Sequence, residues 1–355
     1  MFKVDDLLNK AKVLNKTIVF PEADCSSRVL EAVEIVLKKK LAKVILLGNP
    51  DSLAKKSDKL KDATIINPEN SDLMPEFIEK LVEIRKSKGL TAEEAEKLLK
   101  NNFYFACMLV QCGYADGFVG GAETINMEFD ALIVKDGKAD GCVSGACHST
   151  SNTLRPALQI IKTKPGIKTA SSCVIFVGTE KMGYGENNVV ITGDCSLNIN
   201  PTAEQLADIA IATAESAKVF CNIEPKVAML SFSSFGSGGN SDESILKVRE
   251  ALKLVKERDK TLAIDGEMQL DCALIESVGK LKGKGSAIAG KANVLIFPDL
   301  NSGNIGYKLI ERFGGLQAVG IIMQGFNKAI NDLSRGCSVD DIVVMTAVTA
   351  LQSQN

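Results

Sequence analysis

Short apolar runs alternate with stretches of helical spacing, and this alternation limits the folds open to the chain. Thr17-Ile18-Val19-Phe20 reads as a buried strand ended by Pro21-Glu22. Arg28 to Lys40 has helical spacing, and Lys43-Val44-Ile45-Leu46-Leu47 is a second strand closed by Gly48-Asn49-Pro50. Strand, helix, strand is the unit of a parallel sheet. Residues 4–16, 74–88 and 91–112 read as further helices, the last with Thr91 as its N-cap.

Pro165-Gly166 breaks the pattern, and strands follow at Ala170 to Val177, Val189 to Ile191 and Lys226 to Ser231. Helices are predicted at about 202–220, 242–257, 268–280 and 305–313. Leu262 to Ile264 and Ala292 to Phe297 are the remaining strands read here. A chain of 355 residues exceeds what one core usually supports. The expectation is an α/β protein of two three-layer domains, with ligand bound in the inter-domain cleft at the carboxyl ends of the strands.

Charge narrows the partners. Lys and Arg total 42 against 44 acids, a net charge of −2, so no global positive field draws nucleic acid or a membrane surface. An anionic ligand must be held by local arginines and lysines. The first residues, Met1-Phe2-Lys3-Val4-Asp5-Asp6, lack a signal-peptide pattern, and no apolar run of about 18 residues offers a membrane span. A cytoplasmic enzyme is expected. The ten cysteines show no Cys-x-x-Cys spacing and mostly sit in apolar runs, as buried reduced thiols do. His148 is the one histidine, so a general base is expected from a carboxylate.

Four stretches carry the chemistry. Arg85-Lys86-Ser87-Lys88 fits a solvated helix end, with a phosphate clamp as the functional alternative. Residues 115–122 and 139–146 agree at six of eight positions, 24 residues apart, each a strand running into a glycine turn. After the second copy, Ser149, Thr150 and Arg155 give hydroxyls and a guanidinium suited to an oxyanion, or else a polar helix start. Asn331 to Asp341 places Ser334, Arg335, Gly336, Asp340 and Asp341 just before an apolar terminal helix. Ser338-x-x-Asp341 is a capping-box pattern on spacing alone.

Several segments together resemble the phosphate acetyltransferase (phosphotransacetylase) family, nearly end to end. They are Thr17 to Glu22, Glu83 to Gly89, Val143 to Pro156, Pro225 to Ser231, Asp265 to Gln269, Gly290 to Asn301 and Asn331 to Asp341. The resemblance implies two α/β domains similar to isocitrate and isopropylmalate dehydrogenases, residues 1–164 plus 322–355 and residues 165–321, in a homodimer. It implies exchange of an acetyl group between acetyl phosphate and coenzyme A, with inorganic phosphate released, coenzyme A acting as substrate, and neither cofactor nor metal required. By the same resemblance Asp341 is the base, Ser334 bonds the acyl carbonyl and Arg335 holds the phosphate. Arg155 is a second active-site arginine, and Arg85 meets the 3′-phosphate end of coenzyme A. Ser149, Thr150, Asn304 and Asn331 complete the expected substrate contacts. A helix N-terminus favours an ionised carboxylate, so a base at Asp341 works against its own cap unless burial or coupling to the thiol compensates. The family has one Asp-Gly-x-Val-x-Gly-Ala unit, so about 24 residues, 115–138, are surplus, and a surface excursion is expected there. The rivals are a phosphate butyryltransferase, a silent binding domain, and a metal- and nicotinamide-dependent dehydrogenase using Asp265, Asp271 and Asp299.

Overall fold

The computed structural model describes residues 2–21, 26–86, 89–119, 141–144, 163–178, 182–326, 329–332 and 337–352. The chain forms two compact units: Asp5–Lys162 with Asn327–Asn355, and Met1–Val4 with Thr163–Phe326.

The first unit is built on a six-stranded sheet in the order β12-β5-β4-β1-β2-β3, with every pairing parallel. Its strands are β1 (Thr17–Phe20), β2 (Lys43–Leu47), β3 (Thr64–Ile66), β4 (Gly117–Val119), β5 (Gly141–Ser144) and β12 (Ala329–Asp332). β1 and β2 are buried over almost their whole length, which is why they read as unbroken apolar runs. Helix α1 spans Val4–Val13, and α2 (Ser27–Lys39) starts where the Ser26 hydroxyl accepts the Val29 N–H. Val29, Ala32, Val33, Val36 and Leu37 form the buried stripe of α2. α3 (Pro50–Lys56) and α4 (Met74–Ile84) follow. The terminal helix α12 (Val339–Gln352) packs against α2, β5 and β12, and its residues from Ile342 to Thr349 are all buried.

The helix expected over 91–112 is two helices, α5 (Ala92–Leu99) and α6 (Asn102–Gln111). The break has a cause: Asn102 turns its amide to the carbonyls of Pro21 (3.0 Å) and Leu47 (3.5 Å). That ties the start of α6 to the carboxyl ends of β1 and β2. The Thr91 N-cap stands as expected, in a reciprocal capping box with Glu94.

The second unit holds β6 (Ser171–Val177), β7 (Val189–Gly193), β8 (Lys226–Leu230), β9 (Ala263–Met268), β10 (Val294–Ile296) and β11 (Gln317–Gln324). The order is β11-β6-β7-β10-β8-β9, and β6 runs antiparallel to both its neighbours while the other pairings are parallel. Residue 322, where the sequence led us to expect the return to the first domain, lies inside β11. That strand stays paired with β6 to Gln324, opposite Ser171.

Helices α7 (Ala203–Ser216) and α8 (Glu243–Arg258) are crossovers running one way across this sheet. α9 (Leu270–Leu274), α10 (Glu276–Lys282) and α11 (Leu300–Phe313) return the other way, so right-handed crossovers put them on the opposite face. Packing agrees. Phe176 and Val190 are cross-strand partners; Phe176 packs under Tyr307 and Ile310 of α11, Val190 joins Cys272 and Ala273 of α9, and Phe297 touches both groups. The single helix expected at 268–280 is broken at Ile275, which is extended, because the Cys272 and Ala273 carbonyls bond the N–H groups of Gly290 and Ala292.

Candidate active site

In the first unit the strands point their carboxyl ends one way, and the motif loops leave from that edge. β12 lies beside β5 with Asn331 opposite Val143 and Asp332 opposite Ser144. The chain therefore leaves two neighbouring strands at the same level, at 145 and at 333. Ser149, Thr150, Arg155, Ser334 and Arg335, together with His148, lie outside the described residues. Their flanks are described, and these place the starts of both loops side by side at the edge where an open parallel sheet binds ligands.

The second loop runs into α12. Cys337 is buried, and the Arg28 guanidinium in the first turn of α2 donates to its carbonyl at 3.2 Å. Arg28 thus fixes the chain just ahead of α12. The sequence reading saw it only as the start of a helix, because nothing in local spacing links residues 309 positions apart. One turn on, the Asp341 carboxylate accepts the Ser338 N–H at 2.8 Å, and the Ser338 hydroxyl accepts the Asp341 N–H at 3.2 Å. This is a capping box, as the spacing indicated. It holds a half-buried carboxylate in the first turn of α12.

Asn331 is fully buried, and its amide donates to the Thr349 hydroxyl (2.9 Å) and Gln352 Oε1 (2.5 Å). That amide ties β12 to the far end of α12. Arg85 is the half-buried C-cap of α4, and no described residue pairs with its guanidinium. Asn304 belongs to the other unit, on α11, where its amide donates to the Cys195 carbonyl (3.1 Å) and its oxygen accepts from Lys308 (2.5 Å).

Two conspicuous motifs do structural work. In the first duplicated unit, Asp116 accepts the Thr17 N–H at 2.7 Å and pairs with Lys16, pinning β4 to the start of β1. The first copy is not a surface excursion at 117–119, since β4 sits between β1 and β5. The remainder, 120–138, lies outside the described residues. In Asp265-Gly266-Glu267-Met268-Gln269, Glu267 is buried and fastens the serine-rich loop after β8. Its Oε1 accepts from the Ser233 hydroxyl (2.9 Å), the Gly236 N–H (2.8 Å) and Arg249 Nη2 (3.1 Å), and its Oε2 from Arg249 Nε (2.7 Å). Burial pushes this carboxyl up, but the Arg249 fork, the Gly236 N–H and the Ser233 hydroxyl outweigh it and hold it at about 2. Gly266, at φ +150°, is required beside it: a Cβ there would lie 2.8 Å from the Met229 backbone carbonyl and Cβ.

The three aspartates a metal-dependent dehydrogenase would use are spent locally. Asp265 faces Lys256 at 3.5 Å, Asp271 pairs with Lys282 at 2.7 Å, and Asp299 caps α11 through the Ser302 N–H at 2.9 Å. Among the described residues no group of three His, Cys, Asp or Glu side chains could hold a metal ion. Cys173, Cys195, Cys221, Cys272 and Cys337 are buried free thiols, and burial pushes Cys173 up to about 12. Among the described residues no helix is long and apolar enough to cross a membrane.

The model of the phosphate acetyl/butaryl transferase family matches residues 2–128 and 124–350. The chain belongs to this family. The two matches divide between the duplicated copies, one copy in each. A phosphate acetyltransferase from Thermoanaerobacterium thermosaccharolyticum is 44% identical over 353 residues, covering 99% of each chain. The structure of a phosphotransacetylase from Streptococcus pyogenes is 40% identical, covers 99% of each chain and superposes with a TM-score of 0.75. A solved structure from Salmonella typhimurium, described as a 4-hydroxythreonine-4-phosphate dehydrogenase, matches at TM-score 0.50 and 11% identity, over 96% of this chain and 99% of its own. It shares the fold alone.

Proposed function

We propose that this protein is a phosphate acetyltransferase, interconverting acetyl-CoA and phosphate with coenzyme A and acetyl phosphate. The observation that carries the reading is the Asp341 carboxylate, set by the Ser338 cap in the first turn of α12, in a chain 44% identical to a phosphate acetyltransferase.

In the direction of acetyl-CoA formation, Asp341 takes the proton of the coenzyme A thiol as sulfur attacks the acetyl carbonyl carbon. The S–C bond forms, the C–O bond to phosphate breaks, and the proton leaves with phosphate. Ser334 donates to the carbonyl oxygen as charge builds on it. Arg335 and Arg155 bind the phosphate oxygens, for which a planar guanidinium fork is better shaped than an ammonium. Arg85 takes the 3′-phosphate end of coenzyme A, and Ser149 and Thr150 complete the substrate contacts. Arg28 positions the Ser334-Arg335 loop through Cys337. The transfer is direct, within a ternary complex, and the working unit is a cytoplasmic homodimer.

The test mixes purified protein with acetyl phosphate and coenzyme A, without added metal or nicotinamide cofactor, and follows thioester absorbance. Acetyl-CoA should accumulate. Its absence overturns the proposal, and faster turnover of butyryl phosphate would reassign the acyl group.

A further inference from the structure

Lysines of the second unit differ in what holds them. Lys226, Lys256, Lys280 and Lys282 each face a carboxylate, at 2.7, 3.5, 2.6 and 2.7 Å. A carboxylate partner keeps an ammonium protonated. Lys247, in the second turn of α8, is held otherwise: its Nζ donates to the amide oxygen of Asn200 at 2.8 Å. Among the described residues it enters no ion pair. A neutral amide oxygen accepts an N–H from an ammonium and from a free amine alike, and it leaves the lone pair of the amine unused. Lys308 has a similar partner in Asn304, but it is exposed and lies over the Tyr307 ring, which favours the cation. Lys247 is half-buried, and burial pushes its ammonium down, with the Asp299 carboxylate working against that.

The position suits a small ligand. Asn200 lies on the loop after β7, and Asp299 stands where the chain leaves β10 for α11. The two loops are tied together by the Leu300 N–H, which donates to the Ile199 carbonyl at 3.0 Å. β7 and β10 are parallel neighbours, yet β7 leads to α7 on one face of the sheet and β10 to α11 on the other. The carboxyl ends of such a pair form the crevice in which open sheets receive ligands. Lys247 borders it from α8.

We propose that Lys247 is a self-modification site, acetylated at Nζ by acetyl phosphate, the compound this protein makes from acetyl-CoA and phosphate. The proposal rests on the activity inferred above. The free amine attacks the acetyl carbonyl carbon. The N–C bond forms, the C–O bond to phosphate breaks, and the proton shed by the amine leaves with phosphate. The resulting amide carries no charge, so Asp299 loses a neighbouring cation, while the one remaining Nζ–H can still serve Asn200.

The full chain is incubated with acetyl phosphate and followed by peptide mass spectrometry. Lys247 should be acetylated about fivefold faster or more than exposed Lys260 and than Lys256, which faces Asp265. Asn200 is exposed, so Asn200→Asp should fold normally by circular dichroism. Its carboxylate should hold the ammonium and bring Lys247 down to the rate of Lys256. Lys247 lagging behind Lys260, or leading it equally in Asn200→Asp, overturns the proposal. A parallel incubation supplies acetyl-CoA with and without phosphate, and Lys247 acetylation should depend on the phosphate. Acetylation by added acetyl phosphate, with none from acetyl-CoA plus phosphate, upholds Lys247 as the acceptor and overturns the acetyltransferase reading instead.

Discussion

Helices α5 and α12 open with the same device and use it differently. Thr91 and Glu94 form one capping box; Ser338 and Asp341 form the other. In both, a hydroxyl accepts the N–H three residues on, and the carboxylate reaches back to the N–H of the hydroxyl residue. Around α5 that is the whole role. Glu94 is exposed, and its carboxyl is lowered by the Thr91 N–H and hydroxyl it accepts. Around α12 the helix is buried almost throughout, and the chain just ahead of it is fastened by Arg28 through the Cys337 carbonyl. Local geometry makes a cap; the surroundings decide whether the carboxylate has a second task. Glu267 marks a third case, a buried carboxylate with four donors and none of its capacity left for a substrate.

Substitutions can break this comparison, beginning with the largest expected effect. Asp341→Asn keeps the acceptor oxygen of the cap and removes the base. Turnover should fall about 10²–10⁴-fold, with KM for both substrates and the melting temperature nearly unchanged. A large loss of melting temperature with modest loss of turnover would make α12 a second α5. Glu267→Gln should lower the urea midpoint at neutral pH, because the amide removes the charge on which the Ser233 hydroxyl, the Gly236 N–H and the Arg249 fork converge. The unaltered protein adds a pH signature. Because the folded Glu267 carboxyl lies at about 2, below its ordinary 4.5, its stabilisation is complete above pH 4.5 and is lost as pH falls toward 2. Urea midpoints measured between pH 5 and 3 should drop less steeply in Glu267→Gln than in the unaltered chain.

Ser338→Ala leaves the Asp341 carboxylate in place while removing half of the box. It should cost about 1 kcal/mol of stability, and turnover should fall far less than in Asp341→Asn. Glu94→Gln is the smallest: a slightly lower melting temperature and unchanged turnover. Any drop in turnover from Glu94→Gln would mean that the two boxes are less distinct than their surroundings indicate.

Much of the fold was legible because buried parallel strands leave continuous apolar runs, as β1 and β2 do, and because caps such as Thr91 have a local signature. The breaks at Lys100-Asn101 and Ile275 were not legible. Each is imposed by partners distant in sequence: the carbonyls of Pro21 and Leu47 for α6, and the N–H groups of Gly290 and Ala292 for α9. β11 and β12 went unread for a related reason, since their pairing with β6 and β5 lies outside any local pattern. For the site, family resemblance pointed to Asp341, and spacing supplied its cap. Arg28 was silent in the sequence because it acts through the backbone carbonyl of Cys337. The prominence of Asp116 and Glu267 in recurring motifs reflects backbone clamps, which constrain a residue as tightly as chemistry does.

The duplicated strands carry one more consequence. β4 and β5 pair with Phe118 opposite Cys142 and Val119 opposite Val143, so like positions of the two copies face one another. β1 holds the third and fourth residues of the first copy, Gly117 and Phe118, and β12 holds the same two places of the second, Gly141 and Cys142. Adjacent slots in the ladder are thus filled by interchangeable parts, related by simple translation. Each copy presents to its outer neighbour the same two places that the other copy presents to its own.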